Sequence, residues 1–193
     1  MMSNFRIQIV SDAKVLAEIG KLRIAAWRET PFFSGSLFLG DSWTDAHDDH
    51  AIHWAAYDEA GLVAAARLCV HRRLEEIPDY ATFPKDRGIR AATDLPVASM
   101  NRLAVLPRAR KSGLSMLLDL ARIEKANELS AKSILLKPVP VKVKALQELG
   151  FRIITDHVID PTLYKEGPVV PDSKWMIYKF TQDPPRERLI DSK

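Results

Sequence analysis

Apolar positions run through the chain with two periods, and the changes between them mark out its elements. FRIQIV at 5–10 has strand character, and in SDAKVLAEIGKLRIAAW the residues Val15, Leu16, Ile19, Leu22 and Ala26 recur at helical spacing, with Ser11 or Asp12 placed to cap the first turn. PFFSGSLFLGDSW is broken by Pro31, Gly35 and Gly40 yet rich in apolar residues, among them Phe32, Phe38 and Trp43. They either cover the core between helices or form a lipophilic wall for a ligand. AIHWAAYDEAGLVAAARLCVH holds two apolar runs joined by Asp58, Glu59, Ala60 and Gly61, which predicts a hairpin. Residues 72–93 are polar and irregular, with Pro78, Pro84 and Gly88.

The largest change of period lies further on. VASMNRLAV reads as a buried strand, and Leu114, Leu117, Leu118 and Ala121 then fall at helical spacing, so strand gives way to helix across Pro107 to Gly113. Ser133 to Leu136 reads as a short strand and Val139 to Leu149 as a helix ended by Gly150. Phe151 to Ile154 and Trp175 to Phe180 supply two more strands, separated by a proline-containing extended loop. The predicted domain is 1–180, followed by a polar tail, 181–193, that frays.

Composition narrows the classes without choosing among them. At 193 residues the chain suits one domain. A hydrophobic content of 47% against 27% charged is that of a soluble globular protein and excludes disordered and collagenous classes. No apolar run approaches the ~20 residues of a membrane-spanning helix, and the Met1 to Ile9 stretch is too short and polar for a secretory leader. The single Cys69 lies in an apolar run, which predicts a buried, reduced thiol and a cytoplasmic location. The net charge of +3 is mild and has no basic stripe interleaved with aromatics, so no nucleic-acid partner is expected. DAHDDH resembles a metal site in composition, but its spacing matches no standard zinc motif and no metal is expected.

The chemistry is concentrated where strand turns into helix. A helix N-terminus presents unpaired N–H groups and the positive end of its dipole, both of which favour an anion. Arg108, Arg110 and Lys111 add full charges, and Gly113 permits close backbone approach. Such a turn suits the phosphates of a small molecule, whose encounter the local positive potential would speed.

Arg110, Gly113 and Ser115 resemble the RxxGxG/A signature of the GNAT superfamily of N-acyltransferases, with Ser as the last small residue. ASMNRLAV upstream and ALQELGF downstream are similar to the superfamily's central strand and its A-L-Y-E-K-L-G-F segment, in the same order and at the same separation. The resemblance covers nearly the whole chain. It implies an α+β fold with a mixed, mostly antiparallel central sheet, two splayed parallel central strands and flanking helices. It also implies acetyl-CoA or another acyl-CoA as co-substrate and an amine-bearing small molecule or peptide as acceptor, and it is compatible with a homodimer. On the same resemblance the backbone of Leu103, Ala104 and Val105 would bond the pantetheine arm, and Arg110, Lys111, Ser112, Gly113, Leu114 and Ser115 would hold the pyrophosphate.

Acyl transfer to an amine also needs the amine deprotonated and the thiolate protonated. The central strand carries Ser99 and Asn101, neither an ordinary base, so base candidates come from His53, His50, His71, Asp45 and Asp48. The Tyr that protonates the thiolate in many GNAT enzymes is replaced by Leu146, which leaves Tyr164, Lys144 or water. The catalytic candidates are therefore His53, Asn101 and Tyr164. Without an acid, either the thiolate leaves unassisted or the domain is an acyl-CoA-binding or sensing module that does not turn its ligand over. A further resemblance is to acyl-homoserine-lactone autoinducer synthases, carried by LRIAAW, Asp45, Asp48, Arg67 and Arg102, with Ser99 in place of that family's strand glutamate. Outside that resemblance, Asp45, Asp48 and Arg67 are expected to form a surface or interface ion pair.

Overall fold

The computed structural model describes residues 5–31, 40–80, 88–156, 170 and 173–180. Tyr164, Phe32 to Leu39 and the tail from 181 lie outside the described residues. Seven strands form one sheet: β1 (Arg6–Val10), β2 (Ile52–Asp58), β3 (Gly61–His71), β4 (Val97–Val105), β5 (Ser133–Leu136), β6 (Arg152–Asp156) and β7 (Lys174–Lys179), in the order β1-β2-β3-β4-β5-β7-β6. The helices are α1 (Ala13–Arg28), α2 (Gly88–Ala92), α3 (Leu114–Glu128) and α4 (Val143–Glu148). Among the described strands only β4 and β5 run parallel, and the chain has the α+β architecture with a mixed, mostly antiparallel sheet predicted from its sequence.

Alternation along the strands distributes the core over two faces. Trp54, Ala56, Ala64, Ala66, Leu68, Ala98 and Met100 turn toward α3 and α4, where Leu114, Leu118 and Leu146 pack on them. Ala55, Ala65 and Ala104 turn the other way and, having only methyl groups, let Ile19, Leu22 and Ala26 of α1 lie close to the sheet. A third cluster, Leu74, Ile77, Ile89, Val97, Leu135, Trp175 and Ile177, shows that the polar stretch 72–93 is partly structured. Its Leu74–Glu76 segment is a short 3₁₀ turn and Gly88–Ala92 is α2, so the irregular excursion read from the prolines is corrected there. The helix expected from Val139 begins with a 3₁₀ turn at Pro140–Lys142, because Pro140 lacks the N–H and its fixed φ suits a first turn, and α4 follows at Val143.

Two features open the sheet. The parallel pairing stops after three pairs, Val97↔Ser133, Ala98↔Ile134 and Ser99↔Leu135, while β4 continues to Val105 with only β3 as a strand neighbour. The β3–β4 register also shifts between Ala65 and Arg67, and Arg102 on β4 has φ +52°, the left-handed backbone of a bulge. Among the described residues, Met100 to Val105 therefore offers one backbone edge with no strand against it.

Asp12 caps α1, its carboxylate accepting from the N–H groups of Lys14 and Val15. Midway along α1, Gly20 is where the chain at Ser42 to Thr44 docks: the Trp43 N–H donates to the Gly20 carbonyl at 3.0 Å. A Cβ on Gly20 would lie 2.0 Å from Ser42 Oγ and 3.1 Å from Thr44 Cγ2. Overpacking of this kind costs about 1–3 kcal/mol. Gly20→Val is expected to lower the urea unfolding free energy by about that amount, despite removing a helix glycine; an unchanged midpoint would contradict this docking.

Candidate active site

The parted strands enclose a cavity of about 990 Å³. It runs from the turn at Arg110, Lys111 and Gly113, along Asn101 to Val105 of β4, to a polar wall containing Ser99, Arg67 and Arg102. Leu135, Leu136, Met116, Val139, Val141 and Trp175 give the rest an apolar lining.

At one end, Gly113 takes the N-cap position of α3 with φ +83° and no side-chain cap bond, so the first-turn N–H groups beside Leu114 and Ser115 face the cavity mouth. Lys111 is also left-handed, with φ +63°. The arginines of the turn are used on the scaffold. Arg110 Nη2 donates to the Ala26 carbonyl at 2.7 Å, tying the turn to the end of α1. Arg108 pairs with Asp58 of the β2–β3 hairpin. Their charge remains near the turn, but the backbone and Lys111 are left as its donors to an anion.

Two buried charge clusters flank the middle of the cavity. On the α1 side, Asp48 accepts from Arg23 through two 2.9 Å bonds and from Arg67 Nη1 at 2.9 Å. Asp45 accepts from Arg67 Nη1 at 2.6 Å and from Arg102 Nε at 3.1 Å, and the Arg102 guanidinium stacks 3.8 Å above the Trp43 ring. Arg67 is 0% exposed and Arg23 is 1% exposed. The surface ion pair expected for Asp45, Asp48 and Arg67 is thus corrected to a buried network, because β3 carries Arg67 inside the sheet and α1 covers it. Burial alone would raise the Asp45 carboxyl, but hydrogen bonds and charge from Arg67 and Arg102 hold it well below the usual carboxylate range. Asp48 is lowered in the same way, against its own burial, by Arg23 and Arg67. Three guanidinium groups face two carboxylates here, and among the described residues Arg67 Nη2 is buried with no hydrogen-bond partner.

On the α3 side, Asp119 bonds both Arg122 and Lys142, and Lys142 Nζ also donates to Ser115 Oγ at 2.7 Å. Arg122 in turn donates to the backbone carbonyls of Leu118, Arg67 and Asn101, joining the helix to the two central strands. Burial pushes the Lys142 ammonium down despite the pull of Asp119.

Arg67 also reaches across to β4. Its Nε donates to Asn101 Oδ1, Asn101 Nδ2 donates to Ser99 Oγ at 3.1 Å, and Ser99 Oγ lies 2.8 Å from His71 Nε2. Burial, helped by the neighbouring His47 and opposed by Glu76, pushes His71 down to about 4.

Among the residues singled out from sequence, Leu103, Ala104, Val105, Arg110, Lys111, Gly113, Leu114, Ser115 and Asn101 line this one cavity. Ser112 lies in the same turn with its hydroxyl donating to the Ala109 carbonyl. His53 stands apart, with Nε2 3.0 Å from the Asp48 carbonyl oxygen, beside a pocket of about 230 Å³ on the far side of the arginine–aspartate network. Burial lowers its pKa, outweighing Asp48. Leu146 is fully buried in the core. Asp119, Arg122 and Lys142 escaped the sequence reading, although Arg122 falls on the Leu114–Leu118–Ala126 stripe, where helical periodicity calls for an apolar residue.

No protein-family model matches the sequence, and no curated protein matches it. Solved structures share the fold over nearly the whole chain. An N-acyl amino acid synthase, FeeM, from uncultured soil microbes is similar at TM-score 0.66 and 9% identity, covering 92% of this chain and 91% of its own. A CoA-dependent acyl-homoserine lactone synthase, BjaI, solved with SAM and isopentyl-CoA, is similar at 0.63 and 15%, covering 93% and 85%. A Bacillus subtilis acetyltransferase in complex with CoA is similar at 0.57 and 19%, covering 92% and 100%.

His71 makes the site legible in a stability experiment. Its folded pKa of about 4 lies below its ordinary 6.5, so between these values the unfolded chain binds a proton that the folded chain refuses, and stability rises with pH. At roughly 1.4 kcal/mol per pKa unit, the wild type is expected to lose roughly 2 kcal/mol from this group between pH 6.5 and 4.5. Urea unfolding at the two pH values is expected to show His71→Gln losing less by about that amount; an equal loss in both proteins would contradict a buried neutral His71.

Proposed function

We propose that this protein is an acyltransferase that moves an acyl group from acyl-CoA to an amine. One observation carries the reading: a single cavity joins a helix N-terminus suited to a pyrophosphate, an unpaired strand edge suited to the amide-bearing pantetheine arm, and a polar wall where an acceptor can stand. The similar structures, one in complex with CoA and one with isopentyl-CoA, support the same use of the fold. The apolar lining beyond the turn favours an acyl group longer than acetyl.

In this reading the N–H groups from Lys111 to Ser115 take the pyrophosphate, and the backbone of Leu103 to Val105 adds the pantetheine arm as a further strand. Fixing the thioester beside the polar wall supplies proximity, and the free amine attacks its carbonyl carbon. A Tyr at the Leu146 position would serve as acid; here the thiolate takes its proton from Tyr164, Lys144 or water. His53 would act only through the arginine–aspartate network, since that network separates it from the cavity.

A second reading is favoured by that network. Of the residues that resemble autoinducer synthases, Arg67 and Arg102 line the acceptor end of the cavity, and Asp45 and Asp48 pair with them from the side of the smaller pocket. Behind that wall three guanidinium groups meet two carboxylates and Arg67 Nη2 has no hydrogen-bond partner, which suits an acceptor whose amine sits beside a carboxylate, as in S-adenosylmethionine. The donor would then be an acyl carrier or acyl-CoA and the product a lactone.

Calorimetry with acetyl-CoA and octanoyl-CoA, followed by thiol release with a panel of amines including S-adenosylmethionine, tests both. Gly113→Glu places a carboxylate at the anion site and forces a side chain onto a left-handed residue, although its Cβ itself would meet nothing within 4 Å. It is expected to keep the fold and weaken binding of both donors by about tenfold or more, that is 1.4 kcal/mol or more. Binding with amine-dependent thiol release establishes the transferase, release with S-adenosylmethionine and lactone formation selects the second reading, and binding without release leaves an acyl-CoA-sensing domain. Unchanged donor affinity in folded Gly113→Glu would contradict the site.

A further inference from the structure

The hydrogen-bond chain on β3 and β4 has a direction that its first member dictates. A guanidinium donates and never accepts, so Arg67 Nε fixes Asn101 Oδ1 as its acceptor. The Asn101 amide is thereby oriented with Nδ2 toward Ser99, and it must donate to Ser99 Oγ at 3.1 Å. Ser99 has one proton, and the group 2.8 Å away that can receive it is His71 Nε2. His71 is then a neutral imidazole with its proton on Nδ1. The second lone pair of Ser99 Oγ has the weakly donating Cys69 thiol beside it, which an amine in the cavity that Ser99 lines can displace, while His71 stands behind, 5% exposed.

We infer that Ser99 and His71 form the proton relay that deprotonates the amine during acyl transfer, with Ser99 as the catalytic residue in contact with the acceptor and His71 as the positioning base behind it. The inference rests on the acyltransferase reading above. The amine binds as its free base and donates an N–H to that lone pair of Ser99 Oγ in place of the thiol. As its nitrogen bonds to the thioester carbonyl carbon, its proton passes to Ser99 Oγ and the Ser99 proton passes to His71 Nε2. The C–S bond breaks with its electron pair going to sulfur, and the proton leaves His71 for that thiolate through water, so the products are an amide and a free thiol. The serine where a carboxylate base is common is thus half of a two-residue base. His71 lies on β3 two residues past Cys69, the register partner of Ser99, which puts both side chains on one face of the sheet.

Two measurements test the relay. In the unliganded protein, long-range ¹H–¹⁵N NMR is expected to show His71 protonated on Nδ1, with the Nε2 resonance shifted by Ser99→Ala; a proton on Nε2 overturns the relay whatever the activity. In thiol release from octanoyl-CoA with the amine panel, Ser99→Ala and His71→Gln are each expected to lower kcat by about 10²–10⁴-fold with KM for octanoyl-CoA unchanged, and the double variant to fall no further. An active wild type whose folded variants keep kcat within about threefold overturns the relay and leaves the transferase reading standing. A wild type that releases no thiol with any amine overturns both.

Discussion

A fully buried guanidinium has to be surrounded by acceptors, and Arg67 at the middle of β3 imposes that requirement on much of the molecule. Its Nη1 calls Asp45 and Asp48 inward, its Nε fixes the Asn101 amide, and its backbone carbonyl accepts from Arg122 of α3. Asp48 in turn needs Arg23, which fixes the rotation of α1, and Asp45 needs Arg102, which stands at the β4 bulge. Removing one member leaves its partners charged and buried, a loss of about 3–5 kcal/mol. The segment that carries Asp45 and Asp48 is therefore tied to α1, β3 and β4, with a 3₁₀ turn, Asp48–His50, among its described residues.

The cavity is the complement of this network. β4 cannot follow β5 beyond Ser99↔Leu135, and the bulge at Arg102 turns the strand so that Arg102 meets Asp45 while the edge from Met100 to Val105 stays open. On the opposite side Asp119, Arg122 and Lys142 keep α3 and the approach to α4 at a fixed distance from that edge. Arg110 then binds the turn before α3 to the end of α1. The two ends of the cavity are thus linked through α1, which meets Arg110 at the Ala26 carbonyl and Asp48 through Arg23.

Most of the fold was legible because its signals are local. The hairpin at Asp58 to Gly61, the strand–turn–helix at Val97 to Ala121 and the Asp12 cap each declare themselves within a few residues. That Leu103 to Val105 and most of the turn Arg110 to Ser115 lie on one cavity was legible for the same reason. The charge networks were not, because nothing in Asp45, Asp48 or Arg67 taken alone separates a solvated pair from a buried one; that is decided by α1 covering β3, a contact between segments far apart in sequence. The contact of His71 with Ser99 depends likewise on the register of β3 against β4. Residues 72–93 misled because prolines mark turns whether or not Leu74, Ile77 and Ile89 are buried beneath them.

The proposed acyl transfer requires acyl-CoA to occupy the open edge of β4 and the turn before α3. Hydrogen–deuterium exchange with and without CoA tests that directly. Slowed exchange of the amides from Leu103 to Val105 and from Lys111 to Ser115, with α1 and β2 unchanged, is the predicted result. Bound CoA that protects neither segment would contradict it.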